Sequence, residues 1–369
     1  MSSTELRVII SGGGTGGHVF PAIAIAQAIL KKRPDAKLLF VGAEGRMEME
    51  KVPAAGFQIE GLPIMGLQRR LTLQNVWLPW KLLKSMLKAR RIVKEFQPHV
   101  AVGVGGYASG PLLKAASSKK IPTVIQEQNS YPGITNKLLA AKSASICVAY
   151  QGMEKFFPAG KIVVTGNPVR AAVLHSGKDR ATLLQQFGMS DDRPVILVVG
   201  GSLGARSINE AVEKSAVAWL AAGYSVLWQT GKAFYDKAVQ KQSANLRVFD
   251  FISDMGGAYK LAELVVSRAG AMSISELCLV AKPSILIPSP NVAEDHQTKN
   301  AMALVQRGAA DWVKDSEAFT SLEGKVLALM QDATRRESLS LNARQLGFEN
   351  ADAAIADEVI RIALTQSAH

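Results

Sequence analysis

Two α/β units, each a parallel sheet with helices on both faces, are what this 369-residue sequence predicts. Three observations carry that prediction. A short apolar run, Leu6 to Ser11, ends in glycines and leads into a helical pattern. The same strand–glycine turn–helix opening restarts at Pro194. Between and after these openings, apolar runs of strand length alternate with stretches of helix length. Each opening is that of a Rossmann-like domain, so two such domains facing one another are expected.

In order, the first helix is marked by Ala22, Ile25, Ala26, Ile29 and Leu30, with Pro21 suiting its first turn. Strand-like runs follow at 37–42, 99–104, 121–125 and 162–165. Gly166-Asn167-Pro168 interrupts the pattern and reads as a hinge. Pro194 to Val199 is the next strand, and Ile208, Val212, Ala216 and Leu220 mark the helix after it. Further strands are expected at 224–229, 246–249, 263–267 and 284–287. The domains are therefore placed at 1–166 and 167–350. The terminal segment 351–369, helical over about 351–364, could pack on either domain and could join the first.

Composition narrows the function. With 48% hydrophobic and 20% charged residues the chain is globular rather than disordered. Cys147 and Cys278 are far apart, which excludes a zinc cage or a disulfide framework. The start lacks the basic flank and apolar core of a signal peptide, and no apolar run approaches a bilayer span, so a soluble protein is expected. The net charge of +12 is uneven: residues 1–166 hold 22 Lys/Arg against 9 Asp/Glu, and residues 167–369 hold 21 against 22. An anionic partner should meet the first half.

Three glycine turns suggest phosphate chemistry. Gly12-Gly13-Gly14-Thr15-Gly16-Gly17 has the G-x-G-x-x-G spacing between a strand and a helix. Such glycines let backbone N–H groups close on a phosphate at a helix N-terminus. Alone it would suit a dinucleotide, with Glu44 as the ribose-binding acid, or a tight turn that binds nothing. Gly103 to Pro111 and Gly200 to Ala205 add two more such turns. One dinucleotide needs one cradle, whereas three turns across two domains suit two phosphorylated ligands, as in a sugar-nucleotide transferase. A dinucleotide-dependent oxidoreductase and a non-catalytic membrane scaffold are the competing classes.

The segments GGGTGGHVFPA at 12–22, GVGGYASGP at 103–111, EQNSYPG at 127–133, TGNPVR at 165–170, GGSLGA at 200–205, SRAGAMSISE at 267–276 and AEDHQTKNA at 293–301 resemble, in order, the MurG family of peptidoglycan glycosyltransferases. The resemblance implies a GT-B fold, with acceptor bound by the N-terminal domain and UDP-sugar mainly by the C-terminal one. It implies inverting transfer of N-acetylglucosamine from UDP-N-acetylglucosamine to the C4 hydroxyl of undecaprenyl-pyrophosphoryl-N-acetylmuramyl-pentapeptide. Such an enzyme serves cell-wall synthesis, shape and division, and would join a wall-synthesis complex. Another UDP-sugar-dependent glycolipid transferase is the nearest alternative.

Residue roles follow from the same resemblance. Thr15, Gly16 and Gly17 would lie against substrate phosphates, and Asn129 against the donor sugar. Arg170 and Ser202 would bind the donor diphosphate. Ile252 would read uracil through its backbone. Ala271, Met272, Ser273, Ile274, Ser275 and Glu276 would form the nucleotide loop, with Glu276 on the ribose hydroxyls. Gln297 would hold the sugar. Gly14, Gly105, Gly106, Tyr107 and Ser109 would meet the acceptor. Gln126 stands where the resemblance leads one to expect histidine, and Thr298 stands where many relatives carry a second glutamine.

His18 is the leading base for the acceptor hydroxyl, or else a brace bonding a backbone carbonyl of its own loop. Glu127 is the alternative base, or a residue that orients the site. No Asp-x-Asp triplet or His/Cys cluster is present, so neither a metal nor another cofactor is expected. Leaving-group charge would fall to N–H groups, a helix dipole and Arg170.

Between Glu60 and Glu95 there is no acidic residue but eight Lys/Arg, and Lys81, Lys84, Lys88 and Arg91 share a helical face. Leu82, Leu83, Met86, Leu87 and Val93 lie on much of the other, with Trp77 and Trp80 just before. The stretch 62–94 reads as an element that docks on an anionic membrane, at the cytoplasmic face and peripherally. The helix is expected to turn its apolar side to the core. Docking then falls to the basic side and to the loop at 62–80, with Leu67, Leu71, Leu73, Val76 and Trp77. The few, clustered aromatics disfavour nucleic acid.

Overall fold

A computed structural model describes residues 5–64, 78–169, 171–174, 176–190 and 193–366. The chain divides into two compact units. One runs to Pro168 and takes back the segment from Asn350; the other is Val169–Glu349.

In the first unit β1 (Arg7–Gly12), α1 (Gly16–Lys32), β2 (Lys37–Ala43), α2 (Glu48–Ala54) and β3 (Gln58–Leu62) come first. Then come α3 (Leu78–Phe96), β4 (Val100–Gly105), α4 (Ser109–Ser118), β5 (Thr123–Glu127), α5 (Ile134–Ala140), β6 (Ser145–Val148) and β7 (Ile162–Val164). Among these described residues the strands form one parallel sheet in the order β3-β2-β1-β4-β5-β6-β7. Runs such as Val8-Ile9-Ile10 and Val100-Ala101-Val102 are fully buried, as a sheet covered on both faces requires.

The second unit holds α6 (Ala171–Leu174), α7 (Arg180–Phe187), β8 (Val195–Val199), α8 (Arg206–Ala221), β9 (Ser225–Gln229) and α9 (Lys232–Ala238). It continues with β10 (Leu246–Phe249), α10 (Met255–Leu261), β11 (Ala262–Ser267), α11 (Ala271–Leu279) and β12 (Ser284–Leu286). The last elements are α12 (His296–Val305), β13 (Asp311–Trp312), α13 (Ala318–Gln331) and α14 (Ala333–Gln345). Its described strands are again all parallel, ordered β10-β9-β8-β11-β12-β13. The final helix, α15 (Ala351–Gln366), packs on α1. Its Ile355, Ala356, Val359, Ile362 and Ala363 share a core with Ile25 and Ile29.

Both sheets reverse their winding beside the first strand of the unit, between β1 and β4 and between β8 and β11. Ligands of open parallel sheets bind beyond the strand ends at such a switch point. All three glycine turns leave strands at these points, following β1, β4 and β8.

Two expectations are corrected. Helix α1 begins at Gly16, so Pro21 lies inside it rather than in its first turn. The helix starts early because Thr15, extended at φ −144°, takes the cap position, and Pro21 leaves the Gly17 carbonyl without its usual partner four residues on. On α3 the buried side is Ser85, Ala89, Ile92 and Val93, while Trp80, Leu82, Leu83 and Leu87 are exposed. The short side chains at 85 and 89 let α3 approach α4, which rotates the leucines outward. The expected membrane loop residues Leu67, Leu71, Leu73, Val76 and Trp77 lie outside the described residues. Among the described residues, no helix is long and apolar enough to cross a membrane.

Candidate active site

At the β1–β4 switch point two glycine turns are clamped together. Gly13 N–H donates to Gly105 O at 3.3 Å. The Ser109 hydroxyl accepts from Gly105 N–H at 3.2 Å and stands 2.9 Å from Gly105 O and 3.1 Å from Ser11 O. Ser109 is completely buried, so its side chain braces the turns and is not presented to an acceptor. Gly106, at φ +88°, approaches so closely that a Cβ would stand 2.2 Å from Gly13 O. Tyr107 is 47% exposed and its ring lies beside Gly14.

The N–H groups of this turn are divided between two tasks. Gly14 N–H donates to the buried carboxylate of Glu48 at 2.9 Å, so it is turned away from any phosphate. Thr15 O accepts from His18 and Val19 N–H at 3.0 and 3.1 Å. Thr15, Gly16 and Gly17 N–H donate to no acceptor among the described residues, and they open helix α1. Glu44, the expected ribose acid, is half-exposed and pairs with Lys88 at 3.2 Å. The carboxylate that turns in is Glu48, four residues later.

His18 lies on the first turn of α1, its ring where a Cβ on Gly105 would stand. Nδ1 is 3.2 Å from Gly13 O and 3.3 Å from Thr15 Oγ1. A carbonyl only accepts, so Nδ1 carries the proton in that bond and the lone pair of the neutral ring stands on Nε2. The contact expected of a brace is thus present, and a proton on Nδ1 in that contact is the tautomer a base at Nε2 requires.

Glu127 ends β5 and is buried. Its carboxylate accepts from Asn129 N–H (3.0 Å), Asn129 Nδ2 (3.2 Å), Gly133 N–H (3.2 Å) and Asn136 Nδ2 (2.8 Å). Burial pushes its pKa up, opposed by these donors. The group that holds the 129–133 loop is therefore Glu127, with Asn129 tied to it. Next to it, Gln126 is buried, donates to Asn167 Oδ1 at 3.0 Å and accepts from Gln128 Nε2.

In the second unit Ser202 and Leu203 stand exposed on the β8 turn. Gln229, at the end of β9, donates to Gly201 O at 3.0 Å and accepts from Ile252 N–H at 2.8 Å. Since that N–H is taken and the Ile252 side chain is buried, a backbone reading of uracil there would use the carbonyl. Arg268 follows β11 and donates to Ile287 O (3.0 Å), Pro288 O (3.2 Å), Ser207 Oγ (3.0 Å) and Asp315 Oδ1. After extended Gly270, Ala271, Met272 and Ser273 form the first turn of α11. Ile274 is a core residue. Ser275 Oγ donates back to Ala271 O at 3.0 Å, and Glu276 accepts from Tyr259 OH at 3.0 Å. Gln297, at the start of α12, accepts from Ser289 N–H at 2.9 Å, and Thr298 donates to Asp295 at 2.7 Å. Arg170 lies outside the described residues.

The structure brings Gly14, Thr15, Gly16, Gly17, His18, Gly105, Gly106, Tyr107 and Ser109 to one switch point. Glu48, Gln229 and Arg268 were missed by sequence reasoning. Among the described residues no cluster of three or more His, Cys, Asp or Glu could hold a metal ion.

Two parallel-sheet units with glycine turns at both switch points are the architecture of the GT-B fold found in glycosyltransferases. The sequence matches the Glycosyltransferase family 28 N-terminal domain over residues 8–148 and the C-terminal domain of that family over residues 195–358. The chain belongs to this family. It is 55% identical over 366 residues to the UDP-N-acetylglucosamine--N-acetylmuramyl-(pentapeptide) pyrophosphoryl-undecaprenol N-acetylglucosamine transferase of Bacteroides thetaiotaomicron, covering 97% of this chain and 98% of that one. A transferase of the same name from Phocaeicola vulgatus is 54% identical, with 97% of each chain covered. Of solved structures, Acinetobacter baumannii MurG is similar at a TM-score of 0.78 and 30% identity, over 96% of this chain and 99% of that one.

Proposed function

We infer that the chain transfers N-acetylglucosamine from UDP-N-acetylglucosamine to the C4 hydroxyl of undecaprenyl-pyrophosphoryl-N-acetylmuramyl-pentapeptide, with inversion at the anomeric carbon. The observation that carries this is 55% identity over 98% of a transferase so named, through both domains. In this reading the first unit supplies the base. His18 Nε2 takes the acceptor proton as the hydroxyl oxygen attacks the anomeric carbon and UDP departs. Thr15, Gly16 and Gly17 N–H, at the positive end of α1, receive the acceptor diphosphate. Glu127, held by four donors, orients the loop carrying Asn129 and leaves proton transfer to His18.

The second unit takes the nucleotide. The first turn of α11, Ser202 and Arg170 meet the diphosphate, so the leaving-group charge is countered without a metal. Ile252 O reads uracil, Glu276 receives the ribose hydroxyls with Tyr259 holding its carboxylate, and Gln297 meets the sugar. Exposed Trp80, Leu82, Leu83 and Leu87 beside exposed Lys84, Arg90 and Arg91 support peripheral docking of α3 on an anionic membrane surface. The cytoplasmic face is where a nucleotide-sugar donor is available, and partners in wall synthesis would meet the enzyme there.

The test is UDP release from UDP-N-acetylglucosamine with and without a short-chain lipid-linked muramyl-pentapeptide. Acceptor-dependent release with a disaccharide product by mass is expected. UDP binding without release would discard the acceptor, and no UDP binding would discard the reading.

A further inference from the structure

We propose that Glu48 is a positioning residue for the base, acting on His18 through the peptide group that joins Gly13 to Gly14. The proposal rests on the reading of His18 as the base. That single peptide faces both residues. Its N–H, on Gly14, donates to Glu48 Oε2 at 2.9 Å. Its carbonyl, on Gly13, accepts from His18 Nδ1 at 3.2 Å.

Glu48 is fully buried, and its other oxygen accepts from Ala43 N–H at 3.0 Å. Both oxygens accept, which is the bonding of a carboxylate. The sequence makes room for it: a Cβ on Gly13 would stand 2.1 Å from Oε1, and one on Gly42 would stand 2.6 Å from Cγ. Two glycines therefore form the slot that lets this carboxylate reach under the turn.

A negative charge at the N–H end of a peptide increases the electron density on its carbonyl oxygen, and hydrogen bonds in a chain strengthen one another. Gly13 O becomes a stronger acceptor for Nδ1–H. That holds the tautomer with the lone pair on Nε2 and raises the basicity of Nε2, as a carboxylate does by direct contact in hydrolase triads. The balance of the step is simple. The acceptor C4–O bond to the anomeric carbon forms, the bond to UDP breaks with its electron pair on UDP, and the hydroxyl proton passes to Nε2. The imidazolium so formed is stabilised by Glu48 across the peptide.

Among the described residues, charged groups of the neighbouring elements are placed differently from Glu48. The first turn of α1 has no acidic residue, and the turn after β4 brings Tyr107 beside Gly14. From α15, Asp357 pairs with Lys32 at the far end of α1, and Glu358 pairs with Arg361. Arg7, on β1, lies at the opposite end of its strand.

The first test leaves Glu48 unchanged. Nitrogen NMR of histidine-labelled enzyme resolves five histidines, with His18 assigned through His18→Gln. Neutral His18 is expected with its proton on Nδ1, and a proton on Nε2 overturns the proposal. Glu48→Gln should move the His18 titration midpoint down by about one unit. It should lower kcat about 10- to 100-fold with KM for UDP-N-acetylglucosamine within about twofold. Glu48→Asp, which keeps the charge, should lie between Gln and wild type and serves if the Gln variant does not fold.

In a His18→Ala background, Glu48→Gln should cost no further kcat, because its route to the reaction is gone. A full multiplicative loss, or an unmoved midpoint, overturns the proposal. Absence of acceptor-dependent turnover in the wild type would instead strike the transferase reading. The tautomer and midpoint, measured without substrate, still decide the coupling in that case.

Discussion

Gln229 and Ile252 are joined by a 2.8 Å bond from the Ile252 N–H to the Gln229 side chain, and the same amide reaches Gly201 O at 3.0 Å. One buried side chain thus spans the β8 turn and the β10–α10 loop, the two places assigned to diphosphate and uracil. Gln229→Leu keeps the volume and strands a buried N–H, at about 1–3 kcal/mol. UDP affinity measured by calorimetry should fall about tenfold or more, with the His18 midpoint unchanged. Wild-type affinity in a folded variant would remove Gln229 from nucleotide binding.

Arg268 holds the β12 exit, Ser207 and Asp315 together. Its contact with Pro288 O sits next to Ser289, whose N–H bonds Gln297. Arg268→Ala leaves Asp315 without its cation, with only the Ser207 hydroxyl still donating to it, so a loss of about 2–3 kcal/mol in unfolding free energy is expected. Denaturant titration checks it, and Arg268→Lys should recover only part, because the guanidinium fork makes the several bonds.

The buried Glu127 gives a signed pH dependence. Its pKa is raised by burial, so the folded chain keeps that proton to higher pH than the unfolded chain does. Wild-type stability relative to Glu127→Gln should therefore be greatest in acid and should decline as pH rises from the ordinary glutamate value through the raised one. Urea titrations of both proteins across that window measure the difference, and a difference that grows with pH contradicts the assignment. The variant should also lose about tenfold or more in kcat, because an amide cannot accept from four donors.

Ser109→Ala removes the hydroxyl that ties Gly105 to Ser11. A cost of about 1–3 kcal/mol is expected for the unmet buried groups, seen as a lower urea midpoint. A purely acceptor-contacting hydroxyl would instead change KM for the acceptor and leave the midpoint alone.

Leu83 and Leu87 are four residues apart on α3 and 49% and 56% exposed. Leu83→Ser with Leu87→Ser should weaken binding to anionic vesicles about tenfold or more, from the apolar area no longer inserted. Turnover of a water-soluble acceptor should not change. Equal flotation on neutral and anionic vesicles would remove the electrostatic contribution from exposed Lys84, Arg90 and Arg91.

Much of this was legible because period and punctuation are local. Pro194 to Val199 is a continuous apolar run and became β8, and glycine turns marked three strand ends correctly. The strands that escaped notice are β3, whose Gln58 and Glu60 face solvent at a sheet edge, β6 of four residues, and β13 of two. The exposed leucines of α3 escaped because the packing side was decided by the small residues Ser85 and Ala89, which carry no hydrophobic signal. In the site, the chemistry-bearing turns were visible but their supports were not. Glu48 acts 34 residues from Gly14, and Gln229 acts 28 residues from Gly201. The one local hint for Glu48 was an acid placed shortly after a glycine-ended strand, and Glu44 offered the same hint.

The chain's last helix belongs to its first core. Ile355, Val359 and Ile362 of α15 complete the apolar layer begun by Val8, Ile10 and Ile25, with the 181 residues of Val169–Glu349 lying between in the sequence. On a ribosome adding about 5–20 residues per second, the nascent first sheet waits about 10–40 s for the helix that seals it. During that interval the α1 face stays open to water and to chaperones, while the second unit, uninterrupted in sequence, can close first. The unit synthesised first can thereby be the last completed, because the helix that seals it is the last to leave the ribosome.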